Sequence, residues 1–183
     1  MLQKLSPGHS RTDHLFVGTD RYMYFTLSWN PEDNSLKTEK KFESVADTAA
    51  RERQHPECCH IDPTGRFMTI EIYEGIITVV PLVQRGKKRR LDSDPLPIGE
   101  PTPVRISEMC VRSSAFLHHR GAGDDRPILA LLYEDNQANV RLKLRTVGFA
   151  GGEGVELEES DIKAVTLEPG SNLLIPINGP TCM

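Results

Sequence analysis

The chain has 183 residues, of which 38% are hydrophobic, 6% aromatic and 26% charged, a thin apolar supply for a closed domain of a length that buries about 70% of its unfolded surface. Lys+Arg 22 against Asp+Glu 26 gives a net charge of -4, which excludes a chain-wide basic field for nucleic acid. The four cysteines, Cys58, Cys59, Cys110 and Cys182, form no evident disulfide framework. With no secretory leader pattern and no run of membrane-span length, a soluble intracellular chain without membrane contact is expected.

Short apolar runs of strand length recur along the chain, and no helix-length window carries an i, i+3, i+4, i+7 stripe, which predicts an all-β fold. The first pair is HLFVG and RYMYFTLSW. In the second, Met23, Phe25, Leu27 and Trp29 share one face and Tyr22, Tyr24, Thr26 and Ser28 the other. Asn30-Pro31-Glu32-Asp33-Asn34 reverses the chain into the polar SLKTEKKF, whose lysines suit a sheet edge. The stretch VADTAARERQ is expected to connect, with one helical turn at most.

Asp62-Pro63-Thr64-Gly65 supplies Asp at i, Pro at i+1 and Gly at i+3 of a type I turn. A hairpin follows, with Met68, Ile70 and Ile72 alternating with Thr69, Glu71 and Tyr73 before Glu74-Gly75 turns into IITVVPLV. Residues 84–103, QRGKKRRLDSDPLPIGEPTP, are rich in charge and proline and are expected to be an exposed loop. A third unit repeats the order with AFLHH, PILALLYED and NVRLKLRTV. In the last of these Val140, Leu142 and Leu144 are expected inward, with Arg141, Lys143 and Arg145 outward. Three units of apolar strands closed by a polar strand predict a partial β-propeller of about three blades spanning residues 1–183. Uncovered blade edges imply an incomplete molecule that behaves poorly alone.

Chemical motifs meet plainer alternatives. Cys58-Cys59-His60 lacks the spaced ligands of a zinc site, so buried small side chains are expected and no metal or other cofactor is implied. Ser113, Ser114, His118, His119 and Asp124 show neither a strained elbow nor an oxyanion loop, and the chain is read as no enzyme. Gly148, Gly151, Gly152 and Gly154 lack the Lys-Ser/Thr ending of a phosphate loop and form a connector. The run Lys87, Lys88, Arg89 and Arg90 suits a nuclear-import groove or phosphates, against a solvated loop. Phosphate on Ser93 would weaken that signal. Trp29, Tyr22 and Tyr24 fit either a recognition patch or packing between blades.

The segment DPTGRFMTIEIYEGIITVVPL, Asp62 to Leu82, resembles the first propeller of the family of large subunits of UV-damaged-DNA-binding complexes, the adaptors of cullin-RING ubiquitin ligases. DHLFVGTDRYMYFTLSW before it and ILALLYEDNQANVRLKLRTV after it extend the resemblance in the same order. It implies three blades, roughly the second to fourth, of a seven-bladed propeller. Such a scaffold would present substrate-receptor proteins to a cullin-RING ligase in the nucleus. Cullin would be reached only through parts of the family absent here, and DNA through a partner subunit. The loop Val45 to Arg51 resembles a partner-facing family loop, which implies a receptor-binding role for Asp47 and Arg51. A local i, i+4 ion pair between them is the plain alternative. The same propeller family includes the large subunits of a splicing factor and of the cleavage and polyadenylation factor, so an RNA-processing scaffold is the alternative function.

Overall fold

The computed structural model describes residues 2–5, 14–19, 23–42, 58–82, 98–117, 126–149 and 154–177. Asp47, Arg51, Lys87, Lys88, Arg89, Arg90 and Ser93 lie outside these, as do Tyr22, His118, His119 and Asp124. The described residues are all β, with thirteen strands and no helix.

Three antiparallel sheets follow one another along the chain. The first runs β1 (Leu2–Leu5), β2 (His14–Gly18), β3 (Tyr24–Asn30) and β4 (Ser35–Phe42) in spatial order. The second runs β5 (Cys58–Ile61), β6 (Phe67–Tyr73), β7 (Ile76–Pro81) and β8 (Thr102–Arg105). In the third, β9 (Val111–Leu117), β10 (Ile128–Glu134), β11 (Val140–Phe149) and β12 (Val155–Glu159) lie side by side, and β13 (Val165–Thr166) also pairs with β11. First strands meet first strands, β5 against β9, and last strands meet last, β8 against β12. That stacking of successive four-stranded meanders is the arrangement of propeller blades.

Local chemistry sets the turns. Asn34 adopts a φ of 53° at the end of the β3–β4 turn, a conformation Asn tolerates better than most residues. Asp62, only 2% exposed, accepts hydrogen bonds from the backbone N–H groups of Thr64, Arg66 and Phe67 at 2.8, 2.6 and 2.6 Å. Its carbonyl takes the Gly65 N–H at 2.9 Å, and Gly65 supplies the left-handed φ of 70°. The expected turn is therefore present and is locked by its first residue.

Two apolar cores lie between the sheets. Phe16, Tyr24 and Phe42 of the first sheet pack with Met68, Ile70, Val80 and Leu82 of the second. Phe67, Ile77 and Val79 pack on Phe116, Leu129, Leu131, Val147 and Leu157 of the third, with the Phe67 and Phe149 rings 5.1 Å apart. Alternation along β6 thus sorts side chains between two neighbours, not between core and solvent. Tyr73 departs from its expected face. The register shifts between Glu71 and Tyr73, and one extra residue turns Tyr73 into the Met68 and Ile70 core.

A further expectation is corrected. Arg145 is not outward but 4% exposed. It meets Glu108, itself 1% exposed, through Nη2 at 2.7 Å and Nε at 3.1 Å, because this face of β11 looks onto the second sheet. The end of the segment expected to be exposed is tied down. Ile98 is buried, Gly99 N–H donates to the Pro81 carbonyl at 2.7 Å, and Thr102 opens β8. Lys40 of β4 reaches this region, donating to the Ile98 carbonyl at 3.1 Å.

Candidate functional site: the cleft between the second and third sheets

The residues expected to meet partners are placed by topology alone. Asp47 and Arg51 fall between β4 and β5, in the crossing from the first sheet to the second, and Lys87 to Arg90 fall between β7 and β8. The structure does not describe their side chains, so the site is built from the cleft that the described residues form.

The hairpin β6–β7 and strand β9 bound a cavity of about 290 Å³, lined among others by Cys58, Glu71, Ile106, Val111 and Leu173. Its shape depends on the Glu74-Gly75 turn. Gly75 has a φ of 71°, and its carbonyl accepts the Ile106 N–H at 2.9 Å. Glu74 Oε1 accepts the Cys110 backbone N–H at 2.8 Å. These bonds pin the chain between β8 and β9 onto the hairpin. The C-terminal segment closes the margin, since Leu174 N–H donates to Ser113 Oγ at 3.0 Å. Arg112 Nη1 donates to the carbonyls of Pro169 and Ser171 at 3.0 and 3.1 Å, and Nη2 pairs with Glu134.

Polar side chains of β5 and β6 lie together at this cleft. Cys58 and Glu71 are register partners across β5 and β6, and Cys58 Sγ lies 2.8 Å from His60 Nε2. Burial pushes the Cys58 thiol up, aided by the Glu71 charge. Cys59, on the opposite face, is pushed by burial up to about 12, and burial lowers the His60 imidazole. Near neutral pH the pair is a thiol beside a neutral ring, without the lowered thiolate of a nucleophilic cysteine. No group of three metal-ligating side chains forms among the described residues. Burial also raises the Glu71 carboxyl, with the Ser114 hydroxyl offsetting part of the rise.

The other motifs resolve into structure. Ser113 and Ser114 belong to β9, where Ser113 accepts a backbone bond. Gly148 is a buried residue of β11 opposite Glu156 of β12. Of the aromatics, Tyr24 stacks on Phe16 at 5.6 Å, whereas Trp29 is 48% exposed. The sequence reading missed Glu71 and Glu108 as interior groups. Glu71 was visible as a lone charge inside the apolar MTIEIY, while nothing in the polar context of Glu108 marked it.

Successive antiparallel meanders stacked through apolar faces define a segment of a β-propeller. The chain belongs to the family described as the RSE1/DDB1/CPSF1 first beta-propeller, whose model matches residues 1–182. It is 31% identical over 176 residues, 96% of its length, to DNA damage-binding protein 1 of Schizosaccharomyces pombe. Identity is 29% over 181 residues to DNA damage-binding protein 1a of Arabidopsis thaliana and 27% over 179 residues to DNA damage-binding protein 1 of Oryza sativa. The chain spans 15–16% of the length of these relatives.

Proposed function

We propose that this chain is a non-enzymatic part of a nuclear scaffold that presents substrate receptors to a cullin-RING ubiquitin ligase in DNA repair and protein turnover. The observation that carries the proposal is the family match along residues 1–182, joined to relatives that are named for DNA damage binding. Stacked sheets give a scaffold a fixed surface to present, and a fixed surface loses little entropy on binding. Asp47 and Arg51 contact a receptor, the arginine fork pairing with carboxylates or backbone carbonyls. Lys87 to Arg90 serve nuclear import. Cullin is held by parts of the relatives outside this chain, and DNA is met through a partner subunit.

Affinity purification of the longest natural form of the protein from nuclei is the test. Cullin and receptor proteins should co-purify, and Asp47→Ala with Arg51→Ala should lower receptor recovery. Recovery of splicing or 3′-end cleavage factors instead would replace this function with that of an RNA-processing scaffold. Undiminished receptor binding by the double variant would remove Asp47 and Arg51 from the interface.

A further inference from the structure

Thr102 carries the sequence pattern of a phosphate acceptor, and it lies on a strand that a kinase can reach. Of the serines and threonines in this sequence, Ser6 and Thr102 precede a proline, and of these two Thr102 alone has a lysine or arginine three residues on, Arg105. Proline has no N–H. A kinase groove with no acceptor beside the residue after the hydroxyl therefore takes proline and refuses residues whose N–H it would bury unpaired. An arginine at the third place offers its guanidinium fork to carboxylates of such a groove.

The fold places this pattern at an edge. β8 is an outer strand of the second sheet, four residues long and paired with β7. Its side chains alternate, Thr102 and Val104 half-buried, Pro103 and Arg105 exposed. The two side chains that set the pattern therefore face water. Val104 packs on the core between the second and third sheets, and Thr102, two residues earlier on the strand, shares its face. The Thr102 hydroxyl makes a long hydrogen bond to the Glu100 carbonyl, at 3.4 Å. A short edge strand that contains a proline has few ladder bonds to lose, so its local opening to the extended form that a kinase binds is cheap.

We propose that Thr102 is a phosphorylation site for a proline-directed protein kinase that also selects a cation three residues on, and that the phosphate loosens β8 from the sheet. Thr102 Oγ attacks the γ-phosphorus of ATP, the bond from that phosphorus to the bridging oxygen breaks to release ADP, and the hydroxyl proton passes to the kinase's catalytic carboxylate. The product carries close to two negative charges at a half-buried position. The strand that β8 meets in the third sheet is β12, VELEE, which offers carboxylates and no cation. Burying such a charge is costly, so the end of β8 turns outward to hydrate it and draws Val104 from the core. The site goes beyond the scaffold function and does not depend on it.

The full chain, incubated with magnesium ATP and a purified cyclin-dependent kinase and mapped by mass spectrometry, is the test. Phosphate should appear on Thr102, and Thr102→Ala should lose it. Pro103→Ala should lower kcat/KM for that site about tenfold, the worth of one buried unpaired N–H. No phosphate on Thr102, or an unchanged kcat/KM in Pro103→Ala, overturns the proposal. Arg105 is exposed, so Arg105→Ala is read in parallel should Pro103→Ala not fold; it is expected to lower kcat/KM several-fold, and an unchanged value there also overturns the proposal. The phosphorylated chain should unfold at a lower urea midpoint than the unmodified one, and an equal or higher midpoint would remove the loosening of β8. Receptors that co-purify with a protein never phosphorylated at Thr102 would sink this site alone and leave the scaffold function standing.

Discussion

Arg145 and Glu108 show how a single pair decides the fate of a charged residue. Both are almost fully buried, and Lys143 and Glu159 extend the pair, Lys143 Nζ lying 3.0 Å from Glu108 and 2.7 Å from Glu159. Arg145→Ala leaves the buried Glu108 with Lys143 as its remaining charged partner and should cost about 2 kcal/mol, measured as a lower urea midpoint with the same slope. Burial works to raise the Glu108 carboxyl, but hydrogen bonds from Arg145 and Lys143 outweigh it and hold the group below the usual carboxylate range. A folded value below the unfolded one adds stability that is present above the unfolded pKa and lost as pH falls through the folded one. Glu71 has the opposite sign, because burial raises it. Its penalty grows as pH rises through the unfolded value and on through the folded one, so Glu71→Gln should be more stable than the parent chain at pH 7 and no more stable at pH 4. A urea titration of both variants at the two pH values checks the pair, and a stability gain for Glu71→Gln that does not change with pH would contradict the assignment.

At the scale of the element, the β6–β7 hairpin depends on one left-handed residue. A Cβ at Gly75 would lie 3.1 Å from Met109 Sδ and hold a φ of 71°, so Gly75→Ala should cost about 1–2 kcal/mol. The Ile106 amide, bonded to the Gly75 carbonyl, should exchange its hydrogen faster in that variant; unaltered exchange would separate the hairpin from the chain entering β9. The Asp62 turn is the other fixed element. Asp62→Ala leaves the N–H groups of Thr64, Arg66 and Phe67 without their acceptor and should cost about 2–3 kcal/mol, read in the same denaturation experiment. These turns were legible because DPTG and EG are short-range signals that need no partner sheet. The face of Tyr73 was not, since the register shift before it follows from how β6 meets β7.

For the molecule as a whole, several large apolar side chains among the described residues are left in water. Trp29 and Leu36, cross-strand partners in the first sheet, are 48% and 55% exposed, and Ile175 and Ile177 of the segment after β13 are 68% and 83% exposed. Apolar surface of this kind marks contact with further protein. Trp29 is the chain's one tryptophan, so its fluorescence reports on one end of the stack. The isolated chain should show red-shifted emission open to acrylamide quenching, and the emission should move to the blue in a longer natural form that covers this face. Blue-shifted, unquenched emission from the short chain would show the face already covered. Concentration-dependent association of the short chain in size-exclusion chromatography is the companion expectation.

The sequence by itself determined the strand periods, the turn residues and the order of three similar units, because these depend on contacts a few residues apart. The motif DPTGRFMTIEIYEGIITVVPL was specific enough to point to the family that the comparison then showed. What only the tertiary structure decided is which neighbour each face meets. A strand between two blades is covered on both sides, so period-two alternation separates one interface from the other and leaves burial open. That is why Arg145 lies inside, paired with a glutamate 37 residues away, and why Cys58, Glu71 and Val111 line one cleft although they come from three strands. Convergence of this kind is set by the stacking of whole sheets, which no local pattern along the chain encodes.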